Sequence, residues 1–251
     1  MPEPALRIPY GPDPEQYGEL TLPEGIRSRG TVIIIHGGYW RSGYTAELGR
    51  PLAKDLAGRG FACWNLEYRR AGNGGGWPRT LEDILAGINA LAPAARGRGV
   101  DLSRVTLLGH SAGGHLAVLA AKAGPSAVTV TGVVSQSGVL DLAEAHRLGL
   151  SSNAVENFLC CTPDQDPQRY RDADPMAALP LPVPAWVLHG DADTTVPSSF
   201  SAGWTAAARA AGGTAELRFI PGDHFAMITP GTAAWDAVVE ALCEAAGIPV
   251  I

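Results

Sequence analysis

Ser111 sits in Gly109-His110-Ser111-Ala112-Gly113, a G-x-S-x-G pentad. A serine in this setting turns sharply from a strand into a helix, which exposes its hydroxyl and requires small neighbours. Gly109, Ala112, Gly113 and Gly114 provide that room. The helix that follows would aim its first N–H groups at developing negative charge. A glycine-rich turn with no chemistry is the plain alternative.

A nucleophilic serine needs a base, and the base needs an orienting acid. Candidates for both lie downstream. His224, in Gly222-Asp223-His224-Phe225, follows the apolar run 217–220 and is the expected base. His189-Gly190-Asp191-Ala192-Asp193 follows the run 186–188 and offers two carboxylates. Asp193 is the expected acid because it lies further into the loop, just before Val196-Pro197. Asp191 is the alternative, or else it braces the turn, and either carboxylate also suits an Asx turn or a helix cap. Acyl transfer further needs two N–H donors aimed at the tetrahedral oxyanion. Ala112 N–H is one candidate. Gly38 and Tyr39, in His36-Gly37-Gly38-Tyr39-Trp40, supply the others, unless that glycine pair merely makes a tight turn. Tyr39, Trp40 and Trp77 are expected to line an aromatic-tolerant pocket, with simple packing the competing reading for Trp77.

The remaining candidates fit other roles. His36 and His189 are expected to hold their loops by hydrogen bonds, His110 and His115 to point away from the chemistry, and His146 to be exposed. No histidine pair has zinc spacing, so neither a metal nor an organic cofactor is expected. Of the four cysteines, Cys63 and Cys243 lie in apolar runs and read as buried thiols. Cys160 and Cys161 fall in a segment read as loop or lid, and none of the four forms a C-x-x-C pair.

The elements that must position these residues alternate. Strands are expected at 17–22, 31–35, 61–68, 105–108, 128–134, 184–188 and 215–220. Helices are expected at 47–59, 80–91, 115–123, 200–211 and 233–246, with Thr80 as an N-cap and Asp83 in its capping box. Strands joined by helix-length crossovers imply an α/β fold, with a mostly parallel sheet covered by helices on both faces. The length suits one domain spanning 1–251. Residues 141–182 break the rhythm and read as a lid-like insertion over the carboxyl ends of the strands, or as a plain surface excursion.

Composition narrows the function. Apolar residues make up 46% and charged residues 18%, enough for a sizeable core. The formal net charge of −6 is scattered along the chain and argues against a nucleic-acid partner. No apolar run approaches a membrane span, and the N-terminal stretch lacks the pattern of a secretory leader, so a cytoplasmic, reduced protein is expected.

The chain order Ser111, Asp193, His224 resembles that of the α/β-hydrolase family, and the likeness runs from about Thr31 to the end. Within that family, His36-Gly37-Gly38-Tyr39-Trp40, Ser137-Gly138-Val139-Leu140-Asp141 and Asp223-His224-Phe225 look like the arylformamidases (kynurenine formamidases) and small carboxylesterases. The resemblance implies hydrolysis of a small ester or an N-formyl aryl amide through an acyl-enzyme, with a small-molecule acyl substrate. A peptidase or lactonase of the same fold, and a non-catalytic binding protein on a hydrolase scaffold, are the alternatives.

Overall fold

The computed structural model describes residues 5–25 and 27–250. Residues 1–4, part of the stretch read for a leader, lie outside them. Eight strands form one sheet: β1 (Leu6–Pro9), β2 (Tyr17–Thr21), β3 (Thr31–Ile35), β4 (Ala62–Leu66), β5 (Val105–His110), β6 (Val130–Gln136), β7 (Ala185–Gly190) and β8 (Ala215–Ile220). Their spatial order is β1-β2-β4-β3-β5-β6-β7-β8. β1 pairs antiparallel with β2, and β2 antiparallel with β4. Every other pairing is parallel.

The central strands β3, β4 and β5 are buried along their whole length because both faces are covered. In β3, Val32 and Ile34 face one helical layer while Ile33 and Ile35 face the other. The first layer is α1 (Arg50–Gly58) and α8 (Ala233–Ala246), which contribute Leu52, Leu56, Trp235, Val238 and Leu242. The second is α2 (Arg79–Ala94), α3 (Ala112–Ala123) and α7 (Ser198–Ala210), with Ile84, Ile88, Leu116 and Trp204.

Register places the site. Ile35 lies opposite Gly109, His110 opposite Gln136, Gln136 opposite Leu188, and Gly190 opposite Ile220. The loops after β3, β5, β6, β7 and β8 therefore leave from one edge of the sheet. β3 neighbours both β4 and β5, so the chain changes direction there, and open α/β sheets bind ligands at such a switch point.

Several expectations need correction. β1 was not foreseen: a four-residue Leu-Arg-Ile-Pro edge strand gives little periodicity, and its proline fits only an edge. α2 begins at Arg79 with Pro78 as N-cap, so Thr80 is not the cap. Its hydroxyl accepts from Gly76 N–H and donates to Arg69 C=O instead. Asp83 makes no capping box; it accepts from Arg69 and Gln16. The segment 141–182 contains three helices, α4 (Leu142–Arg147), α5 (Leu150–Leu159) and α6 (Pro167–Ala173).

Candidate active site

Ser111 joins β5 to α3 with φ 56° and ψ −119°, an arrangement that strains a residue carrying a side chain. The strain persists because the surroundings fix the turn. Ser111 N–H donates to Gln136 C=O at 2.9 Å, and Ser111 C=O accepts from Val139 N–H at 3.2 Å. Gly113 is obligatory here, since a Cβ on it would lie 2.0 Å from Ile35 O. Ala112 is the first residue of α3, so its N–H has no partner within the helix.

His224 and Asp193 meet beside this elbow. His224 Nδ1 lies 2.7 Å from Asp193 Oδ2, and both side chains are buried. Asp193 Oδ1 takes the N–H groups of Thr195 and Val196 at 2.8 and 2.9 Å. Burial alone would raise this carboxyl. The hydrogen bonds from His224, Val196 and Ser137 outweigh it and hold the group far below the usual carboxylate range. With Nδ1 committed to Asp193, Nε2 is the nitrogen left to exchange a proton. The other carboxylate, Asp191, is exposed and accepts from Gly222 N–H at 3.0 Å, bracing one loop against the other.

The other histidines support this assembly. His110 donates through Nε2–H to His224 C=O at 2.9 Å, and the two rings lie 4.6 Å apart. Burial, reinforced by the neighbouring His224, pushes its pKa down to about 3, so it is neutral. His189 accepts from Ser201 Oγ and donates to Val196 C=O, fixing the loop that carries Asp193. His115 accepts from Trp40 Nε1–H at 3.2 Å and donates to Ala173 C=O at 2.8 Å. His146, expected to be exposed, is half-buried with Nδ1 3.3 Å from the Tyr170 hydroxyl.

Gly38 and Tyr39 lie in the loop after β3. Gly38 has φ +115°, and a Cβ there would collide with Tyr44 at 2.4 Å. Tyr39 also has positive φ, and its hydroxyl donates to Thr195 C=O at 2.9 Å. That bond ties the loop after β3 to the loop carrying Asp193. Burial, with Asp193 nearby, pushes the phenol pKa up to about 12. Trp40 is fully buried, stacked 4.7 Å from Phe158, so it backs the site from beneath rather than lining a pocket. Trp77 is half-buried and packs edge-on to Phe158.

Sequence reasoning missed the Tyr39 phenol link, the buried Ser137, and the pair Glu67 and Arg70. The last had a visible signal, the charged residues Glu67, Arg69 and Arg70 within four residues of the buried run of β4.

The sheet, the strained serine elbow and the Asp193–His224 pair on one edge define an α/β-hydrolase fold. The BD-FAE family model matches residues 19–206, and the chain belongs to that family. It is 27% identical to "Esterase LipQ" of Mycobacterium tuberculosis over 96% of this chain and 61% of that protein. It is 26% identical to "Esterase LipC" of the same organism over 76% of this chain and 51% of that protein. The chain thus spans about half to three-fifths of the length of these curated relatives. Esterase B from Lactobacillus rhamnosis superposes with a TM-score of 0.84 at 24% identity, covering 98% of this chain and 85% of that one. A truncated carbohydrate esterase from gut microbiota gives a TM-score of 0.82 at 20% identity, with 98% and 96% covered.

Proposed function

We propose that this protein is a serine esterase that cleaves a small carboxylic ester through an acyl-enzyme. The observation that carries the reading is the 2.7 Å Asp193–His224 contact beside a serine held at φ 56°. His224 Nε2 takes the Ser111 hydroxyl proton as Oγ attacks the ester carbonyl. The carbonyl oxygen becomes an oxyanion held by the N–H groups of Gly38, Tyr39 and Ala112. Asp193 keeps the imidazole oriented and stabilises the imidazolium. Collapse expels the alcohol, which takes its proton from His224. Water, deprotonated by His224, then releases the acid and restores Ser111.

The names of the relatives support an ester as substrate. The likeness to arylformamidases rests on the motifs around Gly38, Ser137 and His224, and formamide cleavage would use the same machinery. The four cysteines are free thiols, and no helix among the described residues is long and apolar enough to cross a membrane. The free thiols fit action on a small acyl substrate in a reducing compartment.

A fluorophosphonate probe should label the wild type and leave Ser111→Ala unlabelled, and p-nitrophenyl acetate turnover should vanish in the same variant. Equal labelling would remove Ser111 as nucleophile, and Ser111-independent turnover would favour a binding protein with adventitious reactivity. A kcat/KM comparison of N-formylkynurenine with short aryl esters separates the two bond types; a preference for the formamide would overturn the ester reading.

A further inference from the structure

Glu67 and Arg70 follow β4 and are almost completely buried, as is His36. Removing such charges from water is costly, and a well-packed apolar cluster would often be more stable. Their partners suggest what the cost maintains. Glu67 Oε1 lies 3.1 Å from His36 Nε2 and accepts from Tyr68 N–H and from Arg70. Its Oε2 accepts from Ala46 N–H at 2.8 Å. Arg70 donates to Tyr44 C=O at 2.6 Å and pairs on its far side with Glu15. The loop from His36 to Ala46 is therefore pinned at its start, near its end and at its last residue by one ion pair.

The pin at His36 reaches the chemistry. His36 Nδ1–H donates to Gly37 C=O at 2.8 Å. In a planar trans peptide the C=O and the following N–H point in opposite directions. Holding Gly37 C=O toward His36 therefore turns Gly38 N–H the other way, out of the loop. The Tyr68 ring stacks on His36 at 4.4 Å, and its hydroxyl donates to His36 C=O, which blocks ring rotation. A Cβ on Gly37 would meet Ser111 Cβ at 3.0 Å, so this peptide lies against the elbow itself.

We propose that Glu67 is a positioning residue for the oxyanion hole, which with Arg70 locks His36 so that the Gly37–Gly38 peptide presents its N–H to the reacting carbonyl oxygen. The proposal rests on the assignment of Ser111 and Gly38 above. Nothing in it requires Glu67 to touch substrate.

Loss of one oxyanion donor costs about 10²–10³-fold in kcat, and a misaimed donor costs part of that. Glu67→Gln is expected to lower kcat about 10- to 100-fold, with KM within about twofold of the wild type. Inhibition by a trifluoromethyl ketone, whose hemiketal oxygen occupies the hole, should weaken by a similar factor. A thermal melt establishes that the variant is folded. Should it not fold, His36→Asn against His36→Leu carries the test: the asparagine N–H can still reach Gly37 C=O, so its kcat should exceed that of the leucine variant at least tenfold. An unchanged kcat in folded Glu67→Gln, unchanged ketone inhibition despite a lower kcat, or equal kcat in the two His36 variants overturns the proposal. Full activity in Ser111→Ala would instead overturn the esterase assignment beneath it.

Discussion

Asp193 does two separate jobs with its two oxygens. Oδ1 closes its own loop through the Thr195 and Val196 amides, while Oδ2 orients His224. Asn at this position would keep the loop bonds through its carbonyl oxygen but present an amide N–H to Nδ1. The imidazole would then carry its proton on Nε2 and could not accept one from Ser111. Asp193→Asn is therefore expected to lower kcat about 10³–10⁴-fold with little change in melting temperature, as steady-state kinetics and a thermal melt would reveal. A fall of less than tenfold would return the acid role to Asp191. Tyr39→Phe is a milder case. It removes a hydrogen bond joining the loop after β3 to the loop that carries Asp193. A roughly three- to tenfold drop in kcat at unchanged KM is expected, because the peptide donors stay in place and lose only one restraint. These roles were unequally readable in the sequence. The proposed triad of Ser111, Asp193 and His224 is suggested by motif and order, whereas the Tyr39 bond joins residues 156 apart and no local pattern encodes it.

The contacts of α4, α5 and α6 lead us to propose a fixed wall in place of a mobile lid. Phe158 of α5 is fully buried on Trp40, and Trp77 N–H donates to Phe158 C=O at 3.0 Å. Arg169 of α6 reaches Trp77 C=O, His115 reaches Ala173 C=O, and Trp204 reaches Pro175 C=O. Ser151, Ser152 and Asn153 hold left-handed conformations at the start of α5, at a cost of about 1–2 kcal/mol each. Arg41, from the loop after β3, donates to the carbonyls of Ser151 and Ser152 and offsets part of that strain. Hydrogen exchange should accordingly find the amides of the second half of α5 protected nearly as well as those of α3. Fast exchange there would restore the lid. Phe158→Ala should cost about 3–5 kcal/mol in a denaturant titration, and it should also lower kcat because Trp40 belongs to the loop proposed to carry the oxyanion donors. β3 was legible because burial on both faces leaves a continuous apolar run at 32–35, whereas β8 carries Glu216 and Arg218 and is only partly buried. The insertion was harder to read because its helices have only six, ten and seven residues. Their start signals were nonetheless present. Asp141 and Asp166 each cap a helix by accepting the N–H three residues on, and Pro167 stands at the first helical position after Asp166.

Across the molecule, acid sensitivity should come first from histidines packed inside the fold. His115 lies wholly inside, with its pKa pushed down to about 4 by burial, and His110 is pushed down to about 3. In the unfolded chain both return to about 6.5. Between those values the unfolded state binds more protons than the native state, so stability rises with pH. The contribution is complete above about pH 6.5 and is lost as pH falls toward 4 and then 3. At pH 5 each residue should already have removed about 2 kcal/mol relative to pH 7. Glu67 and Asp193, whose pKa values lie below the ordinary carboxylate range, act in the same direction, but only below about pH 5. The two families of groups are therefore separable by pH window. Calorimetry of the wild type between pH 7 and 5 should show a marked fall in melting temperature. His115→Gln can still accept from Trp40 and donate to Ala173 while carrying no titrating group. It should be less stable than the wild type at pH 7, yet lose less stability between pH 7 and 5, the remaining loss coming from His110 and His189, whose pKa values burial also lowers. A slope identical to that of the wild type would mean that His115 does not carry the acid sensitivity of this fold.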